Sequence, residues 1–357
     1  MTQAADFTPS RVHIIQRIDK SVRHPYGVRP VSYAPINHPS IVLLGGEGTI
    51  KSRYANYYAS MIQDILHNDG IHDINIYSVY YDFGNRIPKL DRTDIFRRAG
   101  YKIEQLHRNG DNKTLAEMYK HEPIPHIAIK LFNVFIRPRI MGSDDRPRHM
   151  DQIMSYMGRI FFWTHSYGGT IMNYLGEYMR DEMRRIGFSA HDIDAVCQQI
   201  LVIGHAPTVP MFRQPFRTLN FVSCGDTIIE NVNHMTDYLN KNADDITPMY
   251  MDESCGNVIT TGFFYSDYCN REHNPAPLRK NSAEYRELCD DGRVVFDAER
   301  NAITNAARYI SQTADGIPSP RELVSGPTVN FDKMAHTGKT MYEIMLKDIR
   351  SQKHNKR

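Results

Sequence analysis

Ser166 is the side chain in this sequence whose surroundings best fit nucleophilic chemistry. It stands in Thr164-His165-Ser166-Tyr167-Gly168-Gly169, after the apolar run Ile160 to Trp163 and before a stretch in which Ile171, Leu175, Tyr178 and Met179 return at helical spacing. The aromatic and β-branched run suits a strand buried on both faces. A strand therefore passes directly into a helix, with the serine on the bend. A turn this tight strains the backbone at its apex and lifts the apical side chain above the sheet, which only small neighbours permit. Gly168, two positions on, supplies room; Thr164, two positions back, supplies less. The new helix offers unpaired N–H groups and a positive dipole end, so the Tyr167 amide is a candidate donor to a developing oxyanion. A serine between a strand and a helix is also an ordinary N-cap, and the local motif admits both readings. His165 adjoins the serine, but neighbours on a sharp bend point in different directions, and it is read as structural.

The stretch Thr164-His165-Ser166-Tyr167-Gly168 resembles the G-x-S-x-G nucleophile elbow of the α/β-hydrolase superfamily, with threonine in place of the first glycine. Gly169 adds to the likeness, since His-Ser-x-Gly-Gly is a frequent form of that elbow. The resemblance implies a mostly parallel central sheet with helices on both faces and a Ser-Asp-His triad in that chain order. Asp226, in the Cys224-Gly225-Asp226 turn after the strand candidate Thr218 to Ser223, maps onto the acid; alone it reads sooner as a turn former or as an N-cap for a helix at Glu230 to Leu239, and in series with Ser166 the balance reverses. Of the later histidines, His336 precedes the last predicted helix, Thr340 to Ile349, and is the expected base; His273 is its rival, and His234 falls inside a predicted helix. The family also takes an oxyanion amide from a glycine loop, commonly beginning His-Gly. Gly45-Gly46-Glu47 occupies that place without the histidine, so Gly46 and Glu47 are the candidates.

The elements that must hold these groups begin with the strand Ser40 to Leu44, followed by a helix from about Ser52 to His67 and a second strand over Asp73 to Asp82, a βαβ unit. Ile127 to Ile136 forms an apolar island read as a helix flanking the cleft, and Met150 to Met157 is a short helix leading into the nucleophile strand. Gln199 to Gly204, Thr218 to Ser223 and Val258 to Tyr265 read as further strands. The expected organisation is an N-terminal extension over 1–38 with edge strands such as Val12 to Ile18, a core over 39–239, a lid or insertion over 240–325, and a return to the core over 326–357. One competing motif overlaps the glycine loop: Gly45 through Ser52 comes within one residue of a phosphate-binding G-x-x-x-x-G-K-[ST] loop. Ile50 stands where that loop needs its second glycine, leaving Lys51 as a solvated helix-start residue.

Composition narrows the partners. With 43 basic and 41 acidic side chains among 357 residues, no charge excess calls for nucleic acid or an anionic membrane. No apolar run approaches the ~20 residues that span a bilayer, and the N-terminus lacks a secretory layout, so the cytoplasm is the expected compartment. Five cysteines without a C-x-x-C pair point to free thiols rather than zinc or a disulfide framework. The motifs call for no cofactor. The α/β-hydrolase resemblance implies hydrolysis of an ester, thioester or amide through an acyl-enzyme, and a small-molecule or lipid-like acyl ester is the expected substrate because the lid segment carries Phe263-Phe264-Tyr265. The alternatives are a binding or scaffold protein that kept the elbow and lost the chemistry and, ranked below it, a nucleotide binder with a degenerate phosphate loop at Gly45 to Ser52.

Overall fold

The computed structural model describes residues 12–17, 28–46, 52–81, 123–205, 215–223, 249–252, 256–261, 299–312 and 318–326. Nine strands form one sheet: β1 (Val12–Arg17), β2 (Val28–Pro30), β3 (Ser40–Leu44), β4 (Asn75–Tyr81), β5 (Ile160–His165), β6 (Leu201–His205), β7 (Arg217–Ser223), β8 (Met249–Asp252) and β9 (Gly256–Thr261). Their order is β2-β1-β4-β3-β5-β6-β7-β9-β8. From β4 across to β9 every pairing is parallel, and among the described strands of this sheet antiparallel pairing is confined to β1 with β2 and β4, and to β8 with β9.

Strand alternation sorts the apolar side chains into two cores. On one face Val42, Leu44, Phe162 and Val202 pack with Ile171, Leu175 and Met179 of the long helix that follows β5. On the other, Ile41, Leu43, Phe161, Trp163, Ile203, Leu219 and Phe221 pack with Ala59 and Ile62 of α1 (Ser52–Asn68) and with Ala302, Ile303, Ala306 and Ile310. Helices therefore cover both faces, as the βαβ spacing requires, and the protein is an α/β fold. The first face is built by α2 (Pro123–Leu131), a π-helical turn at Phe132–Ile136, α3 (Arg137–Ile140), α4 (Met150–Met157), α5 (Tyr167–Ile186) and α6 (Ala190–Cys197). The second carries α1, the helical residues 299–311 (α7) and α8 (Pro320–Val324).

The apolar island at Ile127 to Ile136 is thus not one regular helix: it passes from α2 into the π-helical turn, where one extra residue per turn is accommodated. Arg139, just beyond, is fully buried and donates to the carbonyls of Phe135, Tyr156 and Pro35 at 2.6, 3.1 and 3.4 Å. Burial holds its pKa down to about 10.

Two stretches join the sheet more deeply than the sequence suggested. β1 lies between β2 and β4 rather than at an edge, because Ile14 and Ile15 are both buried and Arg17 reaches Gln63 and Asn56 of α1. Within 240–325, the stretch expected to stand over the cleft, β9 extends the parallel sheet beside β7 and α7 covers one of its faces.

Candidate active site

Ser166 follows the last residue of β5 and precedes the first of α5 with φ 51° and ψ −114°. Positive φ in a non-glycine residue carries Cβ into steric conflict, and among the described residues only Asp145 shares it. An N-cap has extended backbone and bonds the helix through its side chain. Ser166 does neither: it has no side-chain cap bond, whereas Ser189, at extended φ and ψ, accepts from the Asp192 amide at the start of α6. The Ser166 amide instead donates to the His205 carbonyl at 3.0 Å, and its carbonyl accepts from Gly169 at 3.1 Å. The chain is thereby pinned to β6 on one side and to the first turn of α5 on the other.

Gly168 shows why the turn is possible. A Cβ there would run into the Leu44 carbonyl oxygen and stand 3.0 Å from both Leu44 Cβ and Thr164 Cβ. The start of α5 is thus seated directly on β3 and β5. Thr164, two positions before Ser166, is fully buried, and its hydroxyl has no hydrogen-bond partner among the described residues.

Gly46, two residues past β3, lies against the serine. A Cβ on Gly46 would stand 3.0 Å from Ser166 Cβ, 3.4 Å from Ser166 Oγ and 3.3 Å from His165 Nδ1. The Tyr81 hydroxyl donates to the Gly45 carbonyl at 2.6 Å. Because the peptide unit is planar and trans, fixing that carbonyl toward Tyr81 directs the Gly46 N–H away from it.

The opposite face of β5 holds a buried polar group absent from the sequence-based site. Trp163 Nε1 donates to Glu299 Oε1 at 3.0 Å, and both Glu299 oxygens lie 3.1 Å from His205 Nδ1. His165 Nδ1 is 2.9 Å from the Tyr58 hydroxyl, and its ring centroid is 5.3 Å from that of His205. His165 and His205 are register partners on adjacent parallel strands. His165 is therefore a packed residue of the α1 face, as its place beside the bend suggested. The two histidines were legible as the next alternating positions after the apolar parts of β5 and β6. Glu299 carried no comparable signal, since it belongs to a stretch read as lid.

Asp226, His336, its rival His273 and Glu47 lie outside the described residues, so the structure brings together Ser166, Gly46 and the backbone of Tyr167. Among the described residues no group of three or more His, Cys, Asp or Glu is placed to hold a metal, and no helix is long and apolar enough to cross a membrane. Cys197 is a buried free thiol.

No family model matches the chain, and no curated protein matches it. Among solved structures it is similar to the crystal structure of LpqC, a poly(3-hydroxybutyrate) depolymerase from Bordetella parapertussis, at 11% identity over 78% of this chain and 94% of that chain, with a TM-score of 0.24. A superposition that loose carries no argument about this chain.

Proposed function

We propose that the protein is a serine hydrolase that cleaves a carboxylic ester of a small or lipid-like acyl substrate through an acyl-enzyme. The observation that carries this reading is the backbone of Ser166: a non-glycine residue at φ 51°, between a buried strand and a helix that its side chain does not cap. Strain of this kind costs roughly 1–3 kcal/mol and persists where surrounding structure over-determines it, characteristically at functional sites. The closeness of Gly46 to the serine, such that a Cβ on the glycine would stand 3.4 Å from Ser166 Oγ, supports the same reading, because an oxyanion donor must stand close to the attacked carbonyl.

In this reading His336, oriented by Asp226, removes the Ser166 proton as Oγ attacks the acyl carbon. The carbonyl oxygen becomes an oxyanion, held by the amides of Tyr167 and the Gly46-Glu47 loop. Collapse expels the alcohol, which takes the proton from the imidazolium. A water molecule then attacks the acyl-enzyme with the same base, releasing the acid and restoring the serine.

A fluorophosphonate probe tests the reading. Covalent labelling of the folded protein that disappears in Ser166→Ala is expected, and loss of labelling in His336→Ala with retention in His273→Ala assigns the base. A folded wild-type protein that resists the probe overturns the hydrolase reading.

A further inference from the structure

Ser166 is supported from behind by a carboxylate that comes from a distant part of the chain. Glu299 begins the described part of α7, and the next residue, Arg300, donates to Asp69 at 2.6 Å, tying this end of the helix to the turn after α1. The Glu299 side chain is 8% exposed. A carboxylate so placed must be matched by donors, and it is: the indole of Trp163 on β5 and the imidazole of His205 on β6. Both donors belong to the two strands that fix the bend, and the His205 carbonyl accepts the Ser166 amide. One carboxylate thus clamps the carboxyl ends of the nucleophile strand and its neighbour in register.

A second contact completes the support. The Tyr58 hydroxyl lies 2.9 Å from Nδ1 of the His165 ring, and a Cβ on Gly46 would stand 3.3 Å from that same nitrogen and 3.4 Å from Ser166 Oγ, so the ring and the hydroxyl border one narrow space beside the glycine. The ring therefore walls the side of Gly46 that faces the serine, and turning it would change the space between the two. The two contacts converge on one quantity, the separation of the nucleophile from the backbone that would receive the oxyanion.

We infer that Glu299 and Tyr58 are positioning residues for Ser166 and Gly46, acting through Trp163 and His205 and through His165. This inference rests on the nucleophile reading of Ser166. Displacements of the order of 1 Å at a reacting centre can cost about a hundredfold in rate without altering binding. A residue that only stabilises the fold moves the melting temperature instead.

The test measures the maximal rate and half-saturating concentration of fluorophosphonate inactivation for the full chain and for Tyr58→Phe, Glu299→Gln and Glu299→Asp, each checked for folding by circular dichroism. Tyr58→Phe removes one oxygen and keeps the ring, so it remains informative if the Glu299 variants do not fold. In Tyr58→Phe and Glu299→Gln the maximal rate is expected to fall by about tenfold or more with the half-saturating concentration within about twofold, and Glu299→Asp to recover part of the rate. Wild-type rates in folded Tyr58→Phe and Glu299→Gln would overturn the inference while leaving the nucleophile in place. A wild-type protein that never labels would overturn the nucleophile reading and this inference with it.

Discussion

Gly46 and Ser166 stand too close across the carboxyl ends of β3 and β5 to leave room for a side chain on the glycine: a methyl group there would stand 3.0 Å from the serine Cβ and 3.4 Å from its Oγ. The closeness explains why the chain needs glycine at the end of its first parallel strand, and it makes the residue a sensitive probe. For the proposed ester hydrolysis, with Gly46 as an oxyanion donor, Gly46→Ala is expected to lower the rate on the order of a hundredfold, the usual cost of disturbing one such donor. The melting temperature should fall as well, since Gly46 is buried and the added methyl crowds Ser166 and His165. Equal rates for Gly46→Ala and wild type, measured with a chromogenic ester, would remove Gly46 from the site.

The strain at Ser166 makes an opposing pair of expectations. Ser166→Ala keeps a Cβ at φ 51° and so keeps the strain, whereas Ser166→Gly releases it. Both variants should be inactive, but the glycine variant should be more stable than the alanine variant by about 1 kcal/mol, read from urea melts. Reversal of that order would mean that the elbow is relaxed in solution.

Much of this arrangement was legible in the sequence because it depends on local patterns. The run from Ile160 to Trp163 could only be a buried strand, Gly168 marked the close approach, and the helical spacing after Thr170 left one residue for the bend. The βαβ unit from Ser40 to Tyr81 was legible for the same reason. What stayed hidden was long-range. Nothing near Glu299 reveals that a buried carboxylate there meets Trp163 and His205, because that contact is set by which strands become neighbours. β1 was underestimated similarly: Ile14 and Ile15 give two adjacent apolar residues rather than a clean alternation, and only the pairing with β2 and β4 shows that both faces are covered.

Thr164 stands two positions before Ser166, and its buried hydroxyl has no hydrogen-bond partner among the described residues. An unmatched buried hydroxyl costs roughly 1–3 kcal/mol. Thr164→Val keeps the branched shape against Gly168 and removes the oxygen. The variant is expected to be more stable by about 1 kcal/mol with wild-type activity, as measured by denaturant melts and ester turnover. Destabilisation instead would show that the hydroxyl is matched in solution, for instance by an ordered water.

Cys197, at the end of α6, supplies a check on packing that is independent of any activity. Burial pushes its thiol up from 9.0 to about 12, so at pH 8 only about one molecule in ten thousand carries the reactive thiolate. Alkylation by iodoacetamide, followed at the Cys197 peptide by mass spectrometry, should therefore be negligible in the native protein and rapid in urea. The sign of the accompanying pH effect follows from linkage. Above pH 9 the unfolded thiol ionises while the folded one stays protonated, so unfolding releases a proton and stability falls as pH rises toward about 12. The contribution is at most about 1.4 kcal/mol per pH unit, and it is absent below that window. Cys197→Ala should lack this part of the alkaline slope, whatever stability it loses at pH 7 through the smaller side chain. Rapid native alkylation at pH 8 would mean that α6 does not seal this face of the sheet.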